Sequence, residues 1–256
     1  MPHKIVVIVV TWNSADHIRR CLSTLRAGAC RDRVIVIDNA SVDGTADIVR
    51  NEFPSATLVL NDSNRYLSHA LNQGAGMNPG PDYLLVLNPD VDISAEAISR
   101  LAEYLDTHPK TGIVAPRLEY PDGTLQYSCR KFPTLASFVL RGLGFNTHPA
   151  VRRYLMTEDG HTKTRQVDWV LFACMLVRKN AFESAGGVNE KYPLYYNDVD
   201  LCHRMHRLGW EVVYVPKARA IHRYERASAR GGLGNALKWR HIGSGLRFIL
   251  LKTIGL

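Results

Sequence analysis

Four short apolar runs constrain the fold of this chain more than any other feature. KIVVIVV at 4–10, RVIVI at 33–37, TLVL at 57–60 and YLLVL at 83–87 are rich in Val, Ile and Leu and do not alternate with polar residues. A strand with one wet face alternates; an unbroken apolar run marks a strand covered on both faces, as in a parallel sheet. The intervals between the runs read as helices. In SADHIRRCLSTLRAG, residues 14–28, Ile18, Cys21, Leu22 and Leu25 recur at helical spacing, Ser14 is placed to cap the start and Gly28 follows the end. SVDGTADIVRNEF and residues 66–78 are helix-like as well. SAEAISRLAEYLDT at 94–107 is amphipathic, with Ser94 as its cap and Glu96 in its first turn. Strand and helix alternating at this pace predict an α/β, doubly wound, mainly parallel sheet flanked by helices.

After residue 115 the character changes. PDG at 121–123 is a turn signal, and residues 129–166 are basic and irregular, with Pro133, Gly142, Gly144 and Pro149, so small helices or a mobile segment are expected. VDWVLFACMLVR at 167–178 reads as a further strand, NDVDLCHRMHRLG as a helix closed by Gly209 with Leu201, Met205 and Leu208 toward the core, and WEVVYVP as another strand. The end, NALKWRHIGSGLRFILLKTIGL, mixes Lys238, Arg240, Arg247 and Lys252 with Trp239, Phe248, Ile249, Leu250 and Leu251. Such a basic amphipathic helix either buries against the domain or lies on an anionic bilayer. The expected organisation is a domain over 1–228, with halves 1–115 and 116–228, followed by a tail over 229–256.

Ligands of open α/β sheets sit beyond the carboxyl ends of the strands. Those ends carry Thr11, Trp12 and Asn13; Asp38, Asn39, Ser41 and Asp43; Asn61 and Asp62; and, in LLVLNPDVDI at 84–93, Asn88, Asp90 and Asp92. Taken singly, such residues are turn or cap formers; four strand ends doing it together point to one crevice. Carboxylates closing a core strand need a cap, a basic partner or a cation to offset desolvation. The charge of +8 and pI of about 9.3 call for an anionic partner. No GxGxxG follows the first strand and no GxxxxGK[ST] occurs, so the usual nucleotide fingerprints are absent. Asp38 can still accept hydrogen bonds from a base or ribose. Asp90 suits a hard cation, Mg2+ or Mn2+, that shares a diphosphate. Asp198 is either a helix cap or a general base. His203 and His206 read as surface or supporting groups, and His222 as a packed histidine or a metal ligand. The basic residues are spread out without a reading helix, which argues against nucleic acid. Five scattered cysteines without a CxxC pair suit a reducing compartment, and no apolar stretch reaches the roughly 18–20 residues of a membrane span. The expected location is therefore cytoplasmic.

IVVTWNS, VIDNASVDGT, LNPDVDI, WVLFACMLVRKNAF, GGVN, YNDVDLCHRMHRLGW and AIH, spread over residues 4–228, resemble family 2 glycosyltransferases of the GT-A fold, most closely the rhamnosyltransferase branch that builds bacterial cell-surface polysaccharide. The resemblance implies inverting transfer from a nucleotide-diphosphate sugar, dTDP-rhamnose, to a polyprenyl-diphosphate-linked or other cell-surface glycan acceptor. It places Asp90 and His222 at the metal, and Thr11, Asn13, Asp38, Asn88 and Arg130 at the nucleotide sugar. It makes Asp198 the catalytic base. It also implies peripheral attachment to the cytoplasmic face of the inner membrane, with a homodimer as one expected assembly. The alternatives are a glycosyltransferase using a UDP-sugar and a non-catalytic module binding nucleotide sugar or nucleic acid. Two positions depart from the pattern: Asn197 stands where the family has Glu, and Phe172 where many relatives have Gly.

Overall fold

The computed structural model describes residues 4–25, 33–77, 80–223 and 236–254. The expected end of the first helix at Gly28, Cys30, and positions 229–235 and 255–256 of the tail lie outside them. The first half alternates as its sequence requires: β1 (Ile5–Thr11), α1 (Ala15–Leu25), β2 (Val34–Asp38), α2 (Thr45–Glu52), β3 (Thr57–Leu60), α3 (Tyr66–Gly76), β4 (Tyr83–Leu87), β5 (Val91–Ile93) and α4 (Ala95–Thr107). Ser94 caps α4, accepting the Ala97 N–H at 3.2 Å. Ser14 does not cap α1 with its hydroxyl, which donates to Trp12 O; Asp43, from the loop after β2, accepts the Ala15 N–H instead at 2.9 Å. This contact ties the starts of two neighbouring strand–helix connections together.

The second half supplies β6 (Thr111–Glu119), β7 (Leu125–Gln126), β8 (Cys129–Arg130), α5 (Leu135–Gly142), α6 (Pro149–Leu155), β9 (Arg165–Gln166), β10 (Trp169–Val170), β11 (Cys174–Arg178), α7 (Lys179–Ser184), α8 (Asn197–Arg207), β12 (Glu211–His222) and α9 (Ala236–Thr253). The main sheet runs β3-β2-β1-β4-β11-β6-β12-β5. β3, β2, β1 and β4 are parallel, β11 is antiparallel to β4 and β6, and β12 is parallel to β6. Two apolar layers cover its faces: one includes Ile8, Ile37, Val86 and Tyr214, the other Val7, Val36, Leu85 and Leu101.

Elsewhere the structure departs from the sequence pattern. TLVL forms an edge strand, not one covered on both faces, and Leu60 is 53% exposed. The run 167–178 is two strands, because Leu171–Ala173 leave the small β8–β10 ribbon before β11 joins β4. β6, a central strand, carries Pro116, Arg117 and Glu119, which hid it from a search for apolar runs. Leu208 is 51% exposed beyond the end of α8, while Leu201 and Met205 are buried. The α9 helix packs on the domain through Gly245 and Phe248, the latter against Phe132, Tyr196 and His203. Trp239, Leu246 and Leu250 remain exposed on it, and Ile254 just beyond its end.

Candidate active site

The register that aligns Thr11 with Asp38, and Asp38 with Leu60, brings the polar strand ends to one edge. Asp38 is buried and heavily used. Its Oδ1 accepts from Thr11 Oγ1 at 2.8 Å and from Ser41 Oγ at 2.5 Å, and its Oδ2 accepts the Ser41 N–H at 2.9 Å. Asn13, at φ 49°, donates its N–H to Ser41 Oγ at 2.8 Å, and its Oδ1 accepts the Val42 N–H at 2.9 Å. A carboxylate has about four acceptor positions, so Asp38 shapes the 39–44 loop and keeps one position for a ligand. Asn61 extends this floor, donating to Asn39 Oδ1 at 2.9 Å and to Gln73 Oε1 at 3.1 Å.

Beyond β4, the chain turns at Asn88–Asp90 and pairs β5 with the end of β12. His222, 3% exposed at the last residue of β12, brings Nε2 to 3.4 Å from Asp90 Oδ2. Gln126 sets the ring: its Nε2 donates to His222 O at 2.6 Å, which turns its Oε1 toward Nδ1 at 2.8 Å. Oε1 only accepts, so Nδ1 donates to it, and Nε2 is the ring atom turned toward the carboxylate. Asp90 Oδ1 is buried and makes no hydrogen bond among the described residues. A buried carboxylate oxygen with no donor among the described residues, next to an imidazole nitrogen, is what a divalent cation would satisfy. Two protein ligands suit Mg2+ or Mn2+ that takes phosphate oxygens for the rest. Among the described residues no cluster of three or more such ligands occurs. Asp92 is occupied otherwise, between Arg20 at 3.2 Å and Arg223 at 3.0 Å.

Asp198 reaches the same end of the sheet from α8. The Asn88 N–H donates to Ala173 O at 2.9 Å, and the N–H of the preceding residue, Phe172, donates to Asp198. Phe172 thus positions the carboxylate with its backbone while burying its ring. Partial burial pushes the Asp198 carboxyl up to about 6, against the opposing pull of the Val199 N–H, Arg130 and the Phe172 N–H. Asn197 is buried; its Oδ1 accepts the Asp198 N–H at 3.0 Å and its Nδ2 donates to Ser68 Oγ on α3 at 3.0 Å. Arg130 is not on a main-sheet strand end. It leaves the β8–β10 ribbon, lies 5.0 Å from the Trp169 ring centre, and acts on Asp198 electrostatically. His206 bonds Asp168 O at 3.0 Å and His203 meets the Phe132 ring edge-on, so both support the structure. Reasoning from sequence missed Gln126, Gln73 and Arg223; each is a polar side chain in an ordinary context, and only its three-dimensional neighbours distinguish it.

The mainly parallel sheet flanked by helices, with its polar strand ends gathered at one edge, is that of a glycosyltransferase of the GT-A fold. A mannosyltransferase of Pyrobaculum calidifontis, solved with GDP-Man and Mn2+, superposes with TM-score 0.64 at 19% identity, covering 98% of this chain and 65% of that one. TarS of S. aureus superposes with TM-score 0.63 at 15% identity, covering 95% of this chain and 43% of that one. The chain belongs to glycosyl transferase family 2, whose model matches residues 6–186. It is 30% identical over 238 residues to an N-acetylglucosaminyl-diphospho-decaprenol L-rhamnosyltransferase of Mycobacterium tuberculosis, covering 88% of this chain and 77% of that protein. It is 26% identical over 256 residues to rhamnosyltransferase WbbL of Escherichia coli, covering 98% and 94%. No described helix is long and apolar enough to cross a membrane.

Proposed function

We propose that this glycosyltransferase moves L-rhamnose from dTDP-rhamnose to a sugar linked through diphosphate to a polyprenol, inverting the anomeric carbon. The observation that carries the reading is Asp198, a carboxylate raised to about 6 and placed on the same sheet edge as Asp90 and His222. A base with proton affinity near neutral is ionised when an acceptor hydroxyl arrives, and still holds the proton it removes. The Asp38 loop, with Thr11 and Asn13, receives the nucleoside. Asn88, Asp90 and His222 face the donor diphosphate, and Asp90 with His222 would hold the divalent cation. That cation, when bound, stabilises charge on the departing diphosphate. The acceptor oxygen attacks the anomeric carbon, the bond to the diphosphate oxygen breaks, and the acceptor proton passes to Asp198. Arg130 reaches the same centre from the second half of the chain.

The names of the curated relatives support the sugar and the acceptor class. Residues 226–256 hold six Lys or Arg and no Asp or Glu, counting Arg226, Arg230, Lys238, Arg240, Arg247 and Lys252. With the exposed apolar side chains of α9, this favours contact with an anionic cytoplasmic membrane face. Thermal-shift screening of dTDP, UDP and GDP, each with and without Mn2+, followed by turnover with the matching sugars, tests the donor. The expected result is a preference for dTDP that Mn2+ strengthens, and transfer of rhamnose. A preference for UDP, or no transfer from dTDP-rhamnose, overturns it.

A further inference from the structure

Two tyrosines at the ligand edge of the sheet hold left-handed backbone. Tyr66, the first residue of α3, has φ 63°, and Tyr196, the residue before α8, has φ 65°. A Cβ makes this conformation costly, and it is rare for a bulky side chain. It persists only where the surroundings over-determine it, and such residues gather at functional sites. Both tyrosines adjoin site groups. Tyr66 O accepts from Asn39 Nδ2 at 3.3 Å, next to the Asp38 loop, and Tyr196 leads directly into Asn197 and Asp198. The two helix starts are joined to each other as well, because Ser68 Oγ donates to Tyr192 O at 2.5 Å and accepts from Asn197 Nδ2 at 3.0 Å.

One element covers both tyrosines. In α9, His241, Gly245, Phe248 and Lys252 recur at helical spacing and share a face. The ring centres of His241 and Phe248 lie 5.5 and 6.0 Å from that of Tyr196. Between them, Gly245 lets the helix backbone come close: a Cβ there would stand 2.8 Å from the Tyr196 hydroxyl oxygen and 2.5 Å from Phe138 Cε2. Glycine weakens a helix interior, and this approach is what requires it. Near the start of the helix, Arg240 sets its guanidinium 4.8 Å from the Tyr66 ring centre, and further on Arg247 sets its own 5.4 Å from that of Tyr192. Burial, Arg141 and Arg130 push the His241 imidazole down to about 4, so it packs as a neutral ring.

We propose that α9 is a positioning element for catalysis: His241, Gly245 and Phe248 hold Tyr196 in its left-handed conformation, and the direction this gives to the start of α8 aims the Asp198 carboxylate at the acceptor hydroxyl. Arg240 fixes the other end of the contact on Tyr66. A misplacement of about 1 Å at a reacting group costs on the order of 100-fold in rate. The helix therefore acts on turnover and not on donor affinity. The inference rests on the proposed role of Asp198 as the base.

Amide exchange of the full chain, read by mass spectrometry over residues 194–201 and 34–45, tests the contact without substrate. The variants are Gly245→Ala, whose new methyl drives α9 off the Tyr196 ring, and the milder Phe248→Leu, which carries the test if the first does not fold. Exchange over 194–201 should quicken by on the order of 10-fold in Gly245→Ala and less in Phe248→Leu, while 34–45 stays unchanged. Transfer from dTDP-rhamnose to N-acetylglucosaminyl-diphospho-farnesol should lose on the order of 10- to 100-fold in kcat in Gly245→Ala, with the Kd for dTDP in Mn2+ within about twofold of wild type. The rising limb of its pH–rate profile should stay near 6, because the base ionises as before and only its aim has changed. Tyr196→Asn tests the backbone. Asparagine tolerates the left-handed region and offers no ring to displace, so adding Gly245→Ala to it should cost little further. Unchanged exchange and kcat in both α9 variants, a parallel loss of dTDP affinity, a limb moved to lower pH, or an equal Gly245→Ala penalty in the Tyr196→Asn background overturns the proposal. Asp198→Asn is measured alongside. If it stops transfer while both α9 variants transfer normally, only the α9 assignment falls. If it transfers normally while exchange over 194–201 quickens in the α9 variants, α9 still holds Tyr196 and only the base reading falls.

Discussion

Asp198→Asn separates chemistry from stability at a single position. Desolvation raises the carboxyl from 3.8 to about 6. Each tenfold change in proton affinity is worth about 1.4 kcal/mol, so the ionised carboxylate costs the native state about 3 kcal/mol at neutral pH. The sign follows from which state holds the proton more tightly, and here it is the folded one. Below 3.8 both states are protonated and the cost disappears. Between 3.8 and about 6 the unfolded chain ionises first, so wild-type stability falls as pH rises; above 6 the deficit is constant. Asparagine keeps an oxygen for the Val199 N–H, now 2.9 Å from Oδ1, and brings no charge to desolvate. The variant should therefore be more stable than wild type at about pH 8, by up to about 3 kcal/mol or roughly 6–12 °C in Tm for a chain of this size. The two should converge near pH 4. Rhamnosyl transfer should fall by about 10^2- to 10^4-fold, since the amide cannot take the proton. Urea unfolding at both pH values, beside radiolabelled transfer, measures each part. Retained transfer would remove Asp198 from the chemistry, and a stability difference independent of pH would remove the desolvation account.

For wild type, kcat/KM should rise with pH along a limb of apparent pKa near 6 as Asp198 ionises, read from a pH–rate profile. Asp90→Ala should keep the thermal stabilisation given by dTDP alone and lose the further increment given by Mn2+, worth roughly 3 kcal/mol when ligand stands about 100-fold above Kd. Gly74→Ala should destabilise although alanine favours helix by about 1 kcal/mol, because the new Cβ would lie 2.7 Å from Ile8 Cγ2 and overpacking costs about 1–3 kcal/mol; denaturant unfolding gives the sign. Leu246→Glu with Leu250→Glu should weaken sedimentation with phosphatidylglycerol vesicles and leave the melting temperature nearly unchanged, since both side chains are exposed on α9.

The first half of the fold was legible because its strands are central and parallel. Val7, Val36 and Leu85 pack in the layer on one face and Ile8, Ile37 and Val86 in the layer on the other, and covering both faces leaves an unbroken apolar run in the sequence. Where that condition fails, the reading fails. Leu60 looks like core and sits at an edge, and Pro116, Arg117 and Glu119 look like loop and lie in a strand beside β12. The polar strand ends were legible for a related reason: strand order fixes their convergence, so Asp38 and Asp90 come to one edge whatever their side chains do. What cannot be read from spacing is which donors a carboxylate has already used. Asp38 and Asp92 are largely saturated by Thr11, Ser41, Arg20 and Arg223, whereas Asp90 keeps an oxygen without a donor among the described residues.

Asn197 shows the limit most clearly. In the sequence it registers only as a carboxylate missing beside the base. In the structure its amide does two jobs: the oxygen accepts the Asp198 N–H, and the nitrogen donates to Ser68 Oγ, whose own proton goes to Tyr192 O. A glutamate there would have no N–H for Ser68 and would place a second negative charge beside Asp198, raising its proton affinity further. The amide therefore fixes the start of α8 to α3 and keeps the Asp198 carboxyl near 6 instead of higher, so the departure is compatible with the proposed general-base role at neutral pH.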